Sequence, residues 1–196
     1  MVEEGIGPVR VRVDESDDTL LWLTTPPITR GDGVDAALCA RMLGIADSDL
    51  IAHVQPRFYG AGNVCLFVAL GETAAVDRCA LDATAFTRLA GSTADVAPCV
   101  FVFAPTPGGA YSRMFAPLLG IIEDPATGSA TGPLAAFMLD AGLAPRSGGT
   151  RFTSEQGTKM GRRSLLHVLI NREGGNGSIE VGGHVVPIIS ATMSLR

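Results

Sequence analysis

Residues 123–133, Glu123-Asp124-Pro125-Ala126-Thr127-Gly128-Ser129-Ala130-Thr131-Gly132-Pro133, place small side chains, hydroxyls and two carboxylates just ahead of an apolar run rich in Ala and Leu. That run reads as a buried helix closed by Asp140-Ala141-Gly142, with Gly142 near its C-cap, so the stretch before it is the helix N-terminus. There the backbone N–H groups of Gly128, Ser129, Ala130 and Thr131 lack intrahelical acceptors and lie at the positive end of the helix dipole. Small side chains let a ligand reach that backbone, and a carboxylate or a developing oxyanion is the guest it suits. The dipole contributes only about 0.3–1 kcal/mol when exposed and up to about 2 when partly buried, so closure of the site must add the rest. Asp124 precedes Pro125, which biases it away from helical dihedrals and leaves its carboxylate at the pocket mouth, where it could take or give a proton. A plainer reading of the same residues is that Asp124 and Thr127 cap the helix while Ala, Gly and Ser serve close helix–sheet packing. The residues alone leave both readings open.

The elements that must position this helix are of mixed α/β type. Val9, Val11 and Val13 alternate with Arg10 and Arg12, and after the acidic turn at 14–18 a second β-rich run at 19–24 completes a hairpin ended by Pro26-Pro27. Val34, Leu38 and Met42 recur at helical spacing up to Gly44, and Asp82 suits the N-cap of a helix carrying Phe86 and Leu89. Residues 64–70 and 100–103 are continuous apolar runs, the pattern of strands buried on both faces. A short strand is expected around Met114-Phe115, and further strands at 165–170, 179–181 and 185–189, with a hairpin turn at 172–177. The stretch 26–33 is the best candidate for a linker, because composition shifts there from a polar hairpin to an apolar helix.

Composition excludes several functions. With 196 residues, 46% hydrophobic and 18% charged, the chain can bury a core without disulfides or metals and is not a disordered segment. Fifteen Lys and Arg stand against twenty Asp and Glu with no basic cluster, which argues against nucleic acid as the partner. The longest charge-free stretch, 96–112, is broken by Pro98, Pro105, Pro107 and Gly108-Gly109, so no membrane-spanning helix is expected. The acidic N-terminus lacks the pattern of a secretory signal, and a cytoplasmic location is expected. Cys39, Cys65, Cys79 and Cys99 form no C-x-x-C pair and are expected as buried reduced thiols.

Two ordered blocks stand out: Arg113-x-Phe115-Ala116-Pro117, then Gly120, then residues 123–130; and Glu155-Gln156-Gly157-x-x-Met160-Gly161-Arg162-x-Ser164. Together they resemble the PhzF-like phenazine-biosynthesis family, which has the diaminopimelate epimerase-like fold. The resemblance runs from the hairpin near Gly5 to the C-terminus. It implies an α+β fold in which a mixed sheet wraps a central helix, with two similar domains flanking a cleft in relatives. Residues 28–196 would then be the C-terminal domain, and residues 1–27 the remnant hairpin of an N-terminal one. The implied chemistry is cofactor-free proton transfer, isomerisation or epimerisation, on a small carboxylated metabolite held at helix N-termini. Carried onto this chain, Asp124 matches the residue that handles or positions a proton and Ser129 the polar residue at the helix start. Thr127, Gly128, Ala130, Thr131 and Gly157 fall among the substrate-binding positions. Relatives that use thiols carry Cys near Ser129, so a two-thiol epimerase is not expected.

Two departures stand out. The chain has no Gly-His-x-Thr segment of the kind that opens the other central helix in full-length relatives, nor the principal catalytic Glu of that first domain, and Arg163 stands where the family usually has Pro. His53, His167 and His184 read as structural or surface histidines, and no two have metal-ligand spacing. Neither metal nor cofactor is expected. Three hypotheses follow: an isomerase whose missing acid/base comes from a second copy or a separate N-terminal-half chain, a non-catalytic carboxylate-binding or scaffold module, and a truncated inactive relative. Because a half-structure would expose its apolar cleft wall, a homo-oligomer is expected.

Overall fold

The computed structural model describes residues 2–4, 7–91, 99–144, 150–171 and 177–194. The chain opens with five strands, β1 (Val2–Glu4), β2 (Gly7–Val9), β3 (Val11–Val13), β4 (Leu20–Thr24) and β5 (Thr29–Gly33). Helix α1 (Ala36–Leu43), strands β6 (Arg57–Ala61) and β7 (Asn63–Ala69), and helices α2 (Thr73–Arg78) and α3 (Ala83–Gly91) come next. After β8 (Cys99–Thr106), β9 (Gly109–Ala116) and β10 (Ile121–Asp124) comes helix α4 (Gly128–Asp140), then β11 (Thr150–Gln156), β12 (Ser164–Asn171) and β13 (Ser178–His184).

One sheet runs in the order β3-β4-β13-β12-β11-β9-β8-β7-β6-β5, with β10 hydrogen-bonded to β9, while β1 and β2 pair separately. It is mixed: β7–β8 and β9–β11 are parallel and the other pairs antiparallel. Helix α4 touches β6 and β7 near one end of this order and β12 and β13 near the other, so the sheet must curl around it. Its residues from Ala130 to Met138 are all buried, as a helix apolar on every side must be. This is the wrapped α+β architecture implied above.

Residue alternation explains the long apolar runs. Cys65, Phe67 and Ala69 of β7, with Phe101 and Phe103 of β8, pack against Leu134 and Phe137 of α4. Their neighbours Leu66, Val68, Val100 and Val102 face the other way, onto Leu43, Val76 and Phe86 of α1, α2 and α3. The helix ends also form as read. Gly44 takes the left-handed conformation after α1, and Asp82 Oδ1 accepts the amides of Thr84 and Ala85 at the start of α3.

Four expectations are corrected. Cys65 and Cys99 are not thiols but a disulfide, because the parallel register sets them opposite each other with Cα atoms 4.8 Å apart; only Cys39 and Cys79 are free and buried. The stretch 26–33 is not a simple linker, since residues 29–33 form β5 and pair with β6. The strand around Met114-Phe115 is eight residues long and lies at the middle of the sheet. Residues 185–189 form no strand: β13 ends at His184 opposite Leu20, the first residue of β4, and only the Val185 amide reaches on, to the Thr19 carbonyl. Val186, Ile188 and Ile189 are exposed as a result. The hairpin turn expected at 172–177 lies, but for Gly177, outside the described residues.

The hairpin β3–β4 joins the main sheet through β4 and β13. In β4 Trp22, 1% exposed, has the Arg12 and Arg151 guanidiniums within 5.4 and 5.2 Å of its ring centre and donates from Nε1 to Asp14.

Candidate functional site

Helix α4 is fixed at both ends by side chains from other elements. At its C-terminal end the Asp140 carboxylate accepts from Arg30 Nε of β5 at 2.6 Å and from the Tyr59 hydroxyl of β6 at 2.7 Å. Burial and that bond push the Tyr59 phenol up to about 12, while Arg30 and Tyr59 hold Asp140 below the usual carboxylate range against its burial. Asp140 alone would oppose the negative end of the dipole, and Arg30 offsets it.

At the N-terminal end the organiser is Gln156, fully buried at the end of β11. Its Oε1 accepts the Thr127 amide at 3.1 Å, and its Nε2 donates to the Asp124 carbonyl at 2.6 Å and to Thr127 Oγ1 at 2.9 Å. The Thr127 hydroxyl donates to Asp124 Oδ2 at 2.6 Å. Gly157 follows, with φ of +77°, and a Cβ there would overlap the carbonyl oxygens of Arg162 and Pro125. Only glycine lets the β11 turn lie this close to the segment leading into α4.

Beyond that knot, Gly128 and Ser129 are exposed, and among the described residues their amides have no acceptor, whereas the Ala130 amide bonds to the Thr127 carbonyl. Pro133 has no N–H to give to the Ser129 carbonyl four residues earlier. Gly128 and Ser129 open on a groove of about 800 Å³ walled by Val11, Leu21 and Leu23 of the hairpin and by Leu166 and Val181 of the sheet. Among the described residues no Asp, Glu, Lys or Arg lines it, and His184 is its one titratable side chain. Chemically this is a largely apolar trough with that one titratable side chain, and with two backbone donors beside it that have no acceptor among the described residues.

The expected site residues therefore divide. Gly128 and Ser129 line the groove. Thr127 and Asp124 are not among the lining residues and are hydrogen-bonded to each other, the Thr127 hydroxyl on Oδ2 of the half-exposed Asp124. Ala130 and Thr131 face the core; Thr131 is fully buried, with its hydroxyl on the Thr127 carbonyl. Gly157 is buried against Pro125 and positions the loop instead of lining the groove. Gln156, which ties these residues together, was not among the expected site residues; the signal for it was its place in the second motif block.

The remaining motif residues are structural. Arg113, 8% exposed, holds Glu123 through Nε and Nη2 at 3.0 and 2.8 Å, donates from Nη1 to the carbonyls of Val76, Asp77 and Cys79, and lies over the Phe115 ring. Arg163 pairs with Glu155 at 2.7 Å. His53 is exposed in a turn, and the His184 ring lies against Thr19, Asp17 and His167. Among the described residues no three His, Cys, Asp or Glu converge as a metal site, and no helix is long and apolar enough to cross a membrane.

Comparison with known proteins gives consistent matches. The model of the phenazine biosynthesis-like protein family PhzC-PhzF matches residues 1–191. An uncharacterized isomerase of Clostridium acetobutylicum is 27% identical over 203 residues, covering 98% of this chain and 66% of the relative. The trans-2,3-dihydro-3-hydroxyanthranilate isomerase of Pseudomonas chlororaphis is 36% identical over 129 residues, 64% of this chain and 41% of that enzyme. Among solved structures, a PhzF-family protein of Bacillus anthracis superposes with a TM-score of 0.73 at 18% identity, covering 92% of this chain and 63% of that one. A protein of Pseudomonas aeruginosa described as a predicted epimerase gives 0.63 at 30% identity, covering 84% and 55%. The chain thus spans less than two thirds of each of these relatives.

Proposed function

The chain belongs to the PhzC-PhzF phenazine biosynthesis-like family, and from that premise we propose that it serves cofactor-independent proton transfer of the isomerase or epimerase type on a small carboxylated metabolite. The observation that carries this reading is the pair of amides, Gly128 and Ser129, that have no acceptor among the described residues and open on a groove with no Asp, Glu, Lys or Arg among those residues. In such a place a carboxylate gains both hydrogen bonds and the helix dipole while water is kept from most of the substrate body. The names of relatives as isomerases support the reaction class.

Ser129 offers the hydroxyl nearest the two amides along the chain. Asp124, bonded to the Thr127 hydroxyl just ahead of α4, is the residue we assign to handling or positioning a proton. A second acid/base group is needed for transfer between two carbons, and among the described residues the groove's one titratable side chain is His184, whose Nδ1 is engaged with Thr19 and Asp17. We assign that group to a partner, either a second copy or a separate chain equivalent to the N-terminal half of the relatives.

The test is isotope incorporation. Candidate acids whose C–H is acidified by a neighbouring carbonyl or conjugated system are incubated in heavy water with wild type and with Asp124→Asn. Incorporation lowered about 10²-fold or more in the variant supports Asp124 as a proton-handling group. Equal incorporation in both removes Asp124 from the chemistry. No incorporation in either, with small carboxylates still raising the melting temperature, favours a carboxylate-binding module instead.

A further inference from the structure

The four cysteines sort into two kinds. Cys39 and Cys79 lie apart under α1, α2 and α3, and burial pushes each thiol up to about 12, which leaves them almost wholly protonated and unreactive at neutral pH. Cys65 and Cys99 instead stand in register across the parallel strands β7 and β8 and are bonded to each other. Both are buried in the cluster that also holds Tyr59, Phe67, Phe101 and Phe137, the packing beneath α4. They are 34 residues apart in sequence, and the segment the bond closes carries α2 and α3.

We propose that the Cys65–Cys99 bond is a reducible clamp on the floor beneath α4, so that the stability of the groove-bearing core depends on the thiol–disulfide state of its surroundings. The chemistry is a two-electron exchange with a dithiol. One thiolate of the dithiol attacks a sulfur of the pair, a mixed disulfide forms, and the second thiolate displaces the protein sulfur; the protein gains two S–H bonds and the dithiol becomes a disulfide. The strands stay hydrogen-bonded after reduction, because their ladder does not use the sulfurs. What changes is the unfolded chain, which regains the freedom of a loop of this length, so the reduced protein is less stable with the same fold. Since both sulfurs are buried, attack waits on opening of the strand pair near Cys99, the first residue of β8.

The test uses the full chain, equilibrated in oxidised glutathione or in dithiothreitol, then denatured, alkylated and mapped by mass spectrometry. In oxidised glutathione the expected result is alkylation at Cys39 and Cys79 only, with a linked Cys65–Cys99 peptide. In dithiothreitol all four are expected to be alkylated and the melting temperature to fall by about 5–15 °C. The double variant Cys65→Ala with Cys99→Ala should melt at one temperature in both buffers, while Cys39→Ala with Cys79→Ala should keep the reductant response. Four alkylated thiols after oxidised glutathione, a different pairing, or equal melting temperatures of wild type in the two buffers would overturn the proposal. The wild-type map decides even if the double variant fails to fold.

Discussion

Gln156 ties together two residues just ahead of α4, Asp124 and Thr127, through three hydrogen bonds from the end of β11, with both ends of one amide used. Replacing it by Leu keeps much of the volume but strands the Thr127 amide and the Asp124 carbonyl; leaving such groups unpaired costs about 1–3 kcal/mol each. Gln156→Leu should therefore lower stability in a urea melt by at least about 1–3 kcal/mol and also weaken carboxylate binding, since the amides lose their fixed direction. Gly157→Ala belongs to the same knot. A left-handed φ at a non-glycine residue costs on the order of 1–3 kcal/mol, and the overlap with the Pro125 and Arg162 carbonyls adds to it, so its melt should show a loss at least as large. At this scale the sequence made Gly128 and Ser129 legible, because an Ala- and Leu-rich run after small residues has few other readings. For Asp124 the residues left two readings open, and its carboxylate accepts from the Thr127 hydroxyl. Whether a carboxylate faces a groove or a neighbouring hydroxyl depends on the side chain three residues on, and both geometries satisfy the same Asp-Pro-x-Thr pattern.

Between elements, the decisive contact is Arg113 of β9, which binds Glu123 of β10 and three carbonyls at the end of α2. Removing one member of a buried ion pair costs about 3–5 kcal/mol because the other is left unpaired. Arg113→Met should thus lower the melting temperature by roughly 6–20 °C for a chain of this size, which differential scanning calorimetry would read. A second contact of this kind is His167 of β12, held below its ordinary value of 6.5 by burial first, then by His184 and Arg151. As pH falls, the unfolded chain takes the proton before the folded one. The stability associated with the neutral ring is present above pH 6.5 and is lost as pH falls through the lowered folded value. Melting temperature should decline between neutrality and mildly acidic pH, with a smaller slope in His167→Gln. Asp14, Asp17, Asp140 and Glu155 are all held below the carboxylate range, so their losses come at lower pH and do not mask this one. Strands buried on both faces were legible as continuous apolar runs. Strands β5, β6 and β11 were not, because β5 is exposed throughout and β11 alternates polar side chains that are buried for their hydrogen bonds. The Cys65–Cys99 pairing lay in strand register, which spacing along the chain does not reveal.

For the whole molecule, the wrapped sheet leaves one end of α4 facing an apolar wall. Leu165, Val186, Ile188 and Ile189 are exposed on the same chain, the last three by about four-fifths or more. Contiguous apolar surface is a mark of association, and these residues are the candidates to form it. Sedimentation velocity should show dimers or larger species that increase with concentration, and Ile188→Asp with Ile189→Asp should shift them toward monomer; a clean monomer at micromolar concentration would argue against self-association. The fold class was legible at this scale from two short motif blocks, and the groove was not, since it is a surface shared by β4, β12, β13 and the start of α4 that no single segment encodes. The central claim is that the Gly128 and Ser129 amides bind a carboxylate. The direct measurement is a titration of the ¹⁵N-labelled chain with benzoate, followed by amide chemical shifts. Saturable shifts at Gly128 and Ser129, with a smaller change at Ala130, whose amide is already bonded, are expected; unmoved Gly128 and Ser129 signals at saturating benzoate would contradict the account.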